Sequence, residues 1–392
     1  MFYHLLQLLK NHEIININPF QYITVRCAAA GMMSLLISWA IGGRVIAVLR
    51  LLKAGQPIRT VSIKGAPDLA EMHGKKAGTP TMGGVLIIFC VLVSSLFWCN
   101  LLNPMIWLLV FVTLGFGTIG FLDDYLKITK KKADGLAGRY KILGQLLLGL
   151  FVGAYLYLYG NHSGGTDGVK AVSYQFTDGS YHSPVFSGYG YMLFPFFKWL
   201  YPYIGVFFVL FVIVVFVGAS NAVNLTDGLD GLCIGITAVV TAAFTVVAYL
   251  ASNAKYADYL MIPYVPRADE IVVFMGALFG ACLGFLWYNA YPADMFMGDT
   301  GSLTLGGVIA TVAVICKQEF LLAIIGGMYV IECLSVILQV ASYKLTKRRI
   351  FLMAPIHHHF EKKGMTEAKI IARFWIVSIL FCLIGLSTLK LR

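Results

Sequence analysis

Apolar residues run along this chain in ten long blocks, at about 25–49, 81–100, 105–121, 142–159, 200–218, 232–251, 271–288, 303–316, 320–343 and 370–389. Each approaches the roughly 20 residues a helix needs to cross the hydrocarbon of a bilayer. The blocks are continuous, whereas the strands of a β-barrel alternate apolar and polar positions, so a barrel is excluded. The pattern predicts an all-α integral membrane protein of about ten transmembrane helices, forming a single polytopic domain over 1–392. Polar residues precede the first block, and no small-residue cleavage site separates it from Arg44, Arg50 and Lys53. It therefore reads as a permanent span rather than a removed signal.

Composition agrees with the pattern. Hydrophobic residues make up 59% of the chain and charged residues 12%, about half the charged share of a soluble domain. The eight cysteines occur singly, without CxxC spacing, in or beside the apolar blocks, and read as small buried hydrophobes. Charge also orients the chain. Twenty of the thirty Lys and Arg residues fall in three segments, 50–80, 122–141 and 344–373, which lie on one side if ten spans alternate. Basic loops favour the cytoplasm, so that side is expected to face inward, with both termini facing outward. The other side carries a long insertion, 160–197, in which AVSYQF, TDGS and YHSPVF suggest a small β-hairpin turning at Asp178 and Gly179. It is expected to be a structural cap or an oligomer contact.

The unusual polar clusters all fall on the basic side, in or overlapping the segments 50–80, 122–141, 219–231, 289–302 and 344–373. They are KKAGTPTMGG (75–84), FLDDYLK (121–127), NAVNLTDGLDGL (221–232), WYNAYPADMFMGDTGS (287–302) and APIHHHFEKKG (354–364). Asp123 and Asp124 end an apolar block at headgroup depth, where a carboxylate is costly unless paired or metal-bound. Adjacent helical residues point about 100° apart, so the two are expected to have different partners, one a metal or nucleophile and the other a base. Asp227 and Asp230 would share a face if their segment were helical. Asp299 sits just ahead of a block, with Thr300 and Ser302 able to cap a helix start. His357, His358 and His359 are consecutive and diverge on any regular backbone, so they do not form a zinc site; flanked by lysines and arginines, they suit anion binding. Glu332, deep in its block, is expected to serve packing or a helix bend. Neither a GxxxxGK[ST] nor a GxGxxG sequence is present, which removes support for ATP hydrolysis and nicotinamide chemistry. Acids at one surface, rather than at the bilayer midplane between paired half-helices, argue against a transporter. The remainder suits phosphoryl transfer with a hard Mg2+ ion and a lipid phosphate as one reactant.

These five motifs, taken in order from about residue 24 to the C-terminus, resemble the polyprenyl-phosphate N-acetylhexosamine-1-phosphate transferases. PIHHHFE and TDGLDGL favour the muramoyl-pentapeptide branch over relatives that use UDP-N-acetylglucosamine. The resemblance implies a ten-span fold in the bacterial inner membrane, a cytoplasmic active site, Mg2+ dependence and a homodimer surrounded by membrane lipid, with no role for nucleic acid. It implies transfer of phospho-MurNAc-pentapeptide from UDP-MurNAc-pentapeptide to undecaprenyl phosphate, releasing UMP. It also implies that Asp123, Asp124 and Asp299 are catalytic, with Asp299 the metal ligand. Lys76, Thr81, Asn221, Asn224, Asp227, Asp230, Asn289 and Phe296 then line the nucleotide and sugar pocket. His357, counted with the catalytic set, and its neighbours His358 and His359 hold substrate phosphates. Lys127 and Lys141 are expected to offset negative charge during transfer.

Overall fold

The computed structural model describes residues 1–11, 19–52, 54, 78–130, 135–162, 170–172, 175–177, 180–182, 185–197 and 200–391. The helices are α1 (Phe2–Asn11), α2 (Ile23–Leu51), α3 (Gly84–Trp98), α4 (Pro104–Lys130), α5 (Gly138–His162), α6 (Phe207–Thr226), α7 (Leu232–Ser252) and α8 (Ala254–Leu260). They continue with α9 (Asp269–Asn289), α10 (Gly298–Ile315), α11 (Glu319–Ile325), α12 (Gly327–Thr346), α13 (Ile356–Lys362) and α14 (Glu367–Thr388). Among the described residues nine of these are long and apolar enough to cross a membrane: α2, α4, α5, α6, α7, α9, α10, α12 and α14.

Ten such helices were expected, and the difference lies in the block at 81–100. Only α3 forms there, with 15 residues, about 22 Å at 1.5 Å per residue. The preceding residues are held in another structure. Phe296 N donates to Pro80 O at 2.8 Å, Gly83 N to Phe296 O at 2.9 Å and Gly84 N to Met297 O at 2.9 Å. Those bonds tie the start of α3 to the loop before α10, and the helix begins only beyond them. The block at 320–343 is also divided, into α11 and α12, at Gly326.

Helix α10 lies at the centre and is buried almost throughout, packed by α4 and α6. A second packed pair, α2 with α9, joins it through α3 and α7. Helices α2, α5, α6, α12 and α14 keep much of their apolar surface exposed, as lipid-facing helices do. The spans alternate in direction. The C-terminal ends of α4, α6 and α9 and the N-terminal ends of α5, α7 and α10 therefore meet at one end of the bundle. Both chain termini lie at the other end, where His4 Nε2 accepts from Leu101 N at 3.0 Å and Lys390 Nζ donates to Tyr259 O at 2.9 Å. That end is fastened by two buried ion pairs, Arg26 to Glu270 at 2.8 Å and Lys317 to Glu319 at 3.0 Å. Between α5 and α6, β1 (Lys170–Val172) pairs antiparallel with β4 (Val185–Ser187), and β2 (Gln175–Thr177) with β3 (Ser180–His182). The turn expected at Asp178 and Gly179 is outside the described residues.

Candidate active site

Three carboxylates from two helices meet at the shared end of the bundle. Asp123 and Asp124 come from the last two turns of α4, and Asp299 from the first turn of α10; one oxygen of each lies within 4.8 Å of the others. Like charges so close need cations, and two lysines supply them. Lys127 Nζ is 2.5 Å from Asp123 Oδ2 and 3.3 Å from Asp299 Oδ2, while Lys141 Nζ, from the first turn of α5, is 2.9 Å and 2.5 Å from the same two atoms. Lys127 reaches Asp123 because i and i+4 share a helix face. Three carboxylates and two ammonium groups leave one formal negative charge.

The adjacent aspartates have different partners. Asp123, fully buried, takes both lysines and accepts from Leu136 N at 2.7 Å. Asp124 meets Lys127 only at 3.7 Å. Its oxygens instead accept from Asp299 N at 3.2 Å, Thr300 N at 2.9 Å and Thr300 Oγ1 at 2.7 Å. Asp124 thus caps α10 from a neighbouring helix, satisfying amides that lack partners within their own helix and placing a carboxylate at the positive end of the helix dipole. Thr300 and Ser302, by type able to cap a helix start, have other partners: Thr300 donates to Asp124, and Ser302 Oγ donates to Gly298 O at 3.0 Å. Gly298 has φ +72°, and a Cβ there would fall 2.5 Å from Asp124 Oδ2 and 2.9 Å from Thr81 Oγ1. Thr81 is therefore brought to the edge of the acid cluster.

The remaining pocket residues are arranged as a frame. Asn224 Nδ2 donates to Asp299 Oδ1 at 3.0 Å and to Ser302 Oγ at 2.8 Å, steering the Asp299 carboxylate. Asn221 lies one turn away from the cluster, donating to Gln145 Oε1 at 2.8 Å. The segment 227–231 is a turn, so Asp227 and Asp230 do not share a helix face. Asp227 follows the end of α6, whereas Asp230 Oδ2 accepts from Ala293 N at 3.0 Å and its backbone N donates to Glu367 Oε1 at 3.0 Å. Burial pushes the Asp227 carboxyl up to about 8, assisted by the nearby charges of Asp299 and Asp124. Asn289 ties the 227–231 turn to its own loop, accepting from Gly231 N at 3.0 Å and donating to Met295 O at 2.8 Å. Phe296 holds the start of α3 through its backbone, and Lys76 is outside the described residues.

The sequence matches glycosyl transferase family 4 over residues 106–317, and residues 76–88 match signature 1 of the phospho-N-acetylmuramoyl-pentapeptide-transferases. Proteins named phospho-N-acetylmuramoyl-pentapeptide-transferase from Citrifermentans bemidjiense, Geobacter sp. (strain M21) and Desulfotalea psychrophila are each 48% identical to it over 393 positions, covering all of both chains. The chain belongs to this transferase family.

In this member the three histidines lie on a short helix, α13, rather than in a loop. They diverge as consecutive helical residues must. His357 is fully buried, with Nδ1 3.0 Å from Glu332 Oε1. His358 Nδ1 lies 2.5 Å from Glu361 Oε2, and His359 Nδ1 accepts from Leu352 N at 3.1 Å. His357 packs behind the turn that carries Asp227, while the other two face α13 and the segment before it. The acid cluster fits a divalent cation: its donors are all carboxylate oxygens, which suit a hard ion. The clustered acids and the residues that frame them thus come from different spans. Sequence reasoning passed over Gln145 and Glu367. Gln145 had a signal, as the one carboxamide in the block at 142–159; Glu367 had none, since a Glu in the first turn of a helix is ordinary.

Proposed function

We propose that the chain transfers phospho-MurNAc-pentapeptide from UDP-MurNAc-pentapeptide to undecaprenyl phosphate, giving undecaprenyl-diphospho-MurNAc-pentapeptide (lipid I) and UMP for peptidoglycan synthesis. Full-length identity of 48% to transferases of that name carries the proposal, and the Asp123, Asp124 and Asp299 cluster with its two lysines supports it. An oxygen of the lipid phosphate attacks the sugar-bearing phosphorus, the diphosphate P–O bond breaks, and UMP leaves. Lys127 and Lys141, each within 3.3 Å of Asp299, neutralise charge on the phosphates as it shifts toward the leaving group. Asp123 keeps the attacking phosphate deprotonated. Asn224 and the Asp124 cap hold Asp299 in place, and Asp299 with Asp123 would hold Mg2+. When bound, the metal supplies further charge neutralisation at the diphosphate. Asp227 and Asp230 line the nucleotide side, with Lys76, Thr81 and Phe296 beside them, and His358 and His359 would leave Glu361 and Leu352 N to hold the substrate phosphates.

The site faces the cytoplasm of the inner membrane on this proposal, because the basic loops lie at its end of the bundle. The enzyme is a homodimer. Light scattering of the detergent-solubilised protein tests the dimer, and labelling of cysteines introduced at 140 and 259 with an impermeant maleimide tests the orientation.

Direct attack is favoured over a phosphoenzyme because the lipid phosphate is already a nucleophile; a phosphorylated aspartate trapped from UDP-sugar without lipid would overturn it. The central test is UMP release by purified protein given undecaprenyl phosphate, Mg2+ and either UDP-MurNAc-pentapeptide or UDP-N-acetylglucosamine. Release with the muramoyl substrate alone, abolished by EDTA and restored by Mg2+, is expected. Release with UDP-N-acetylglucosamine would move the chain to a sister branch, and release that survives EDTA would remove the metal.

A further inference from the structure

Glu332 sits in the second turn of α12 with no exposed surface, in a helix otherwise built for lipid. A buried carboxylate there needs a cationic partner. Among the described residues its one ion-pair partner is His357, the only fully buried residue of α13. The two groups approach to 3.0 Å without hydrogen-bond geometry, and among the described residues neither carboxylate oxygen of Glu332 and neither ring nitrogen of His357 has a hydrogen-bond partner. Glu332 was expected to serve packing or a helix bend; instead it faces an imidazole.

The other edge of that imidazole meets the nucleotide turn. A Cβ on Gly228 would fall 2.2 Å from His357 Nε2 and 2.8 Å from its Cε1, so the ring occupies the space a side chain at 228 would need. Glu332 on the Nδ1 side of the ring and Gly228 on the Nε2 side hold the imidazole between α12 and the turn. Gly228 is flanked by Asp227, whose carboxyl senses Asp299 and Asp124, and followed by Asp230, which holds Ala293 N. An unbroken line of contact therefore runs from the interior of α12, through the imidazole, to the turn beside the acid cluster.

We infer that Glu332 is a positioning residue for the transfer reaction: through His357 it sets the 227–231 turn, and with it Asp227 and Asp230, against the Asp299 side of the site. The inference rests on the proposed function for its kinetic consequence, though not for its structural one. Partners that orient a functional histidine typically change activity by about 10- to 100-fold when removed. Glu332→Gln preserves shape and removes charge, and is expected to lower kcat within that range while leaving the KM for undecaprenyl phosphate unchanged. A general packing role makes a different forecast. Replacing the pair by apolar residues, Glu332→Met with His357→Leu, removes the buried charge and should restore thermal stability. On the positioning account kcat stays low in that double variant even though melting recovers.

Hydrogen exchange read by mass spectrometry gives a measure free of activity. Faster exchange over residues 227–231 is expected in Glu332→Gln. Glu270→Gln, which removes a carboxylate at the far end of the bundle, should leave that segment unchanged. Wild-type kcat and unaltered exchange in Glu332→Gln would overturn the inference, as would recovery of kcat together with melting in the double variant. Failure of the wild-type protein to release UMP would instead overturn the proposed function, and the exchange experiment would still decide whether Glu332 sets the turn.

Discussion

Asp124→Asn separates a carboxylate that acts in the chemistry from one that holds the helix carrying Asp299. Asp124 is 2% exposed and accepts three hydrogen bonds from the start of α10. Asparagine keeps one acceptor oxygen, which can stay with Thr300, and turns an amide N–H2 toward Asp299 N, donor against donor. Two bonds change from charge-assisted to neutral, at about 1 kcal/mol each, and the third is lost at about 1 kcal/mol. The lost charge also ends the 3.7 Å contact with Lys127 and relieves repulsion from Asp299; at these distances each is on the order of 4 kcal/mol with an effective dielectric of about 20, and they have opposite signs. The hydrogen bonds decide, for a loss of about 3 kcal/mol. At about 2 °C per kcal/mol for a large domain, the melting temperature should fall by roughly 6 °C. Tryptophan fluorescence of the detergent-solubilised protein, which has six tryptophans, follows the transition, with UMP release measured on the same samples. Activity should fall with stability. An inactive variant that melts like the wild type would refute the capping argument and make Asp124 a direct participant in transfer.

Other perturbations test separate parts of the site. Lys141→Met removes the ammonium shared by Asp123 and Asp299 and should lower the transfer rate by about 100-fold or more, as loss of an electrostatic stabiliser does; Lys141→Arg should retain more activity than Lys141→Met. Asp227 holds its proton up to about pH 8 in the folded protein and releases it near 3.9 when unfolded. The folded state therefore binds more protons between those values, so stability from this group is fully present below about pH 4 and is lost as pH rises toward 8. Asp227→Asn should flatten the fall in melting temperature across that window, and an unchanged slope would assign it to another group. Gly228→Ala places a methyl group on the His357 ring and should lower the melting temperature, with His357→Ala in the same chain recovering part of the loss. Melting of Gly228→Ala at the wild-type temperature would show that the turn is looser than the 2.2 Å approach implies.

Length and continuity of the apolar blocks determined the membrane class, because a backbone in hydrocarbon must satisfy its own hydrogen bonds and helices do so within one segment. The same blocks placed Asp123, Asp124 and Asp299 at helix ends, and their alternation brought those ends together. What the blocks left open was set by contacts between segments far apart in the chain. Residues 80–84 bind the backbone of 296–297 rather than extending α3, so an apolar block of spanning length yields 15 helical residues. Adjacent aspartates look equivalent in sequence, yet Asp123 takes two lysines while Asp124 caps α10, a division fixed by where the α10 amides lie. Asp227 and Asp230 have helical spacing but occupy a turn, and Glu332 gives no sign in sequence that its partner is His357, twenty-five residues later. Local pattern states which groups can reach the membrane surface. Only the packing of α4, α6, α10, α12 and α13 decides which of them face one another, because side-chain pairing energies depend on distance and burial that no single segment contains.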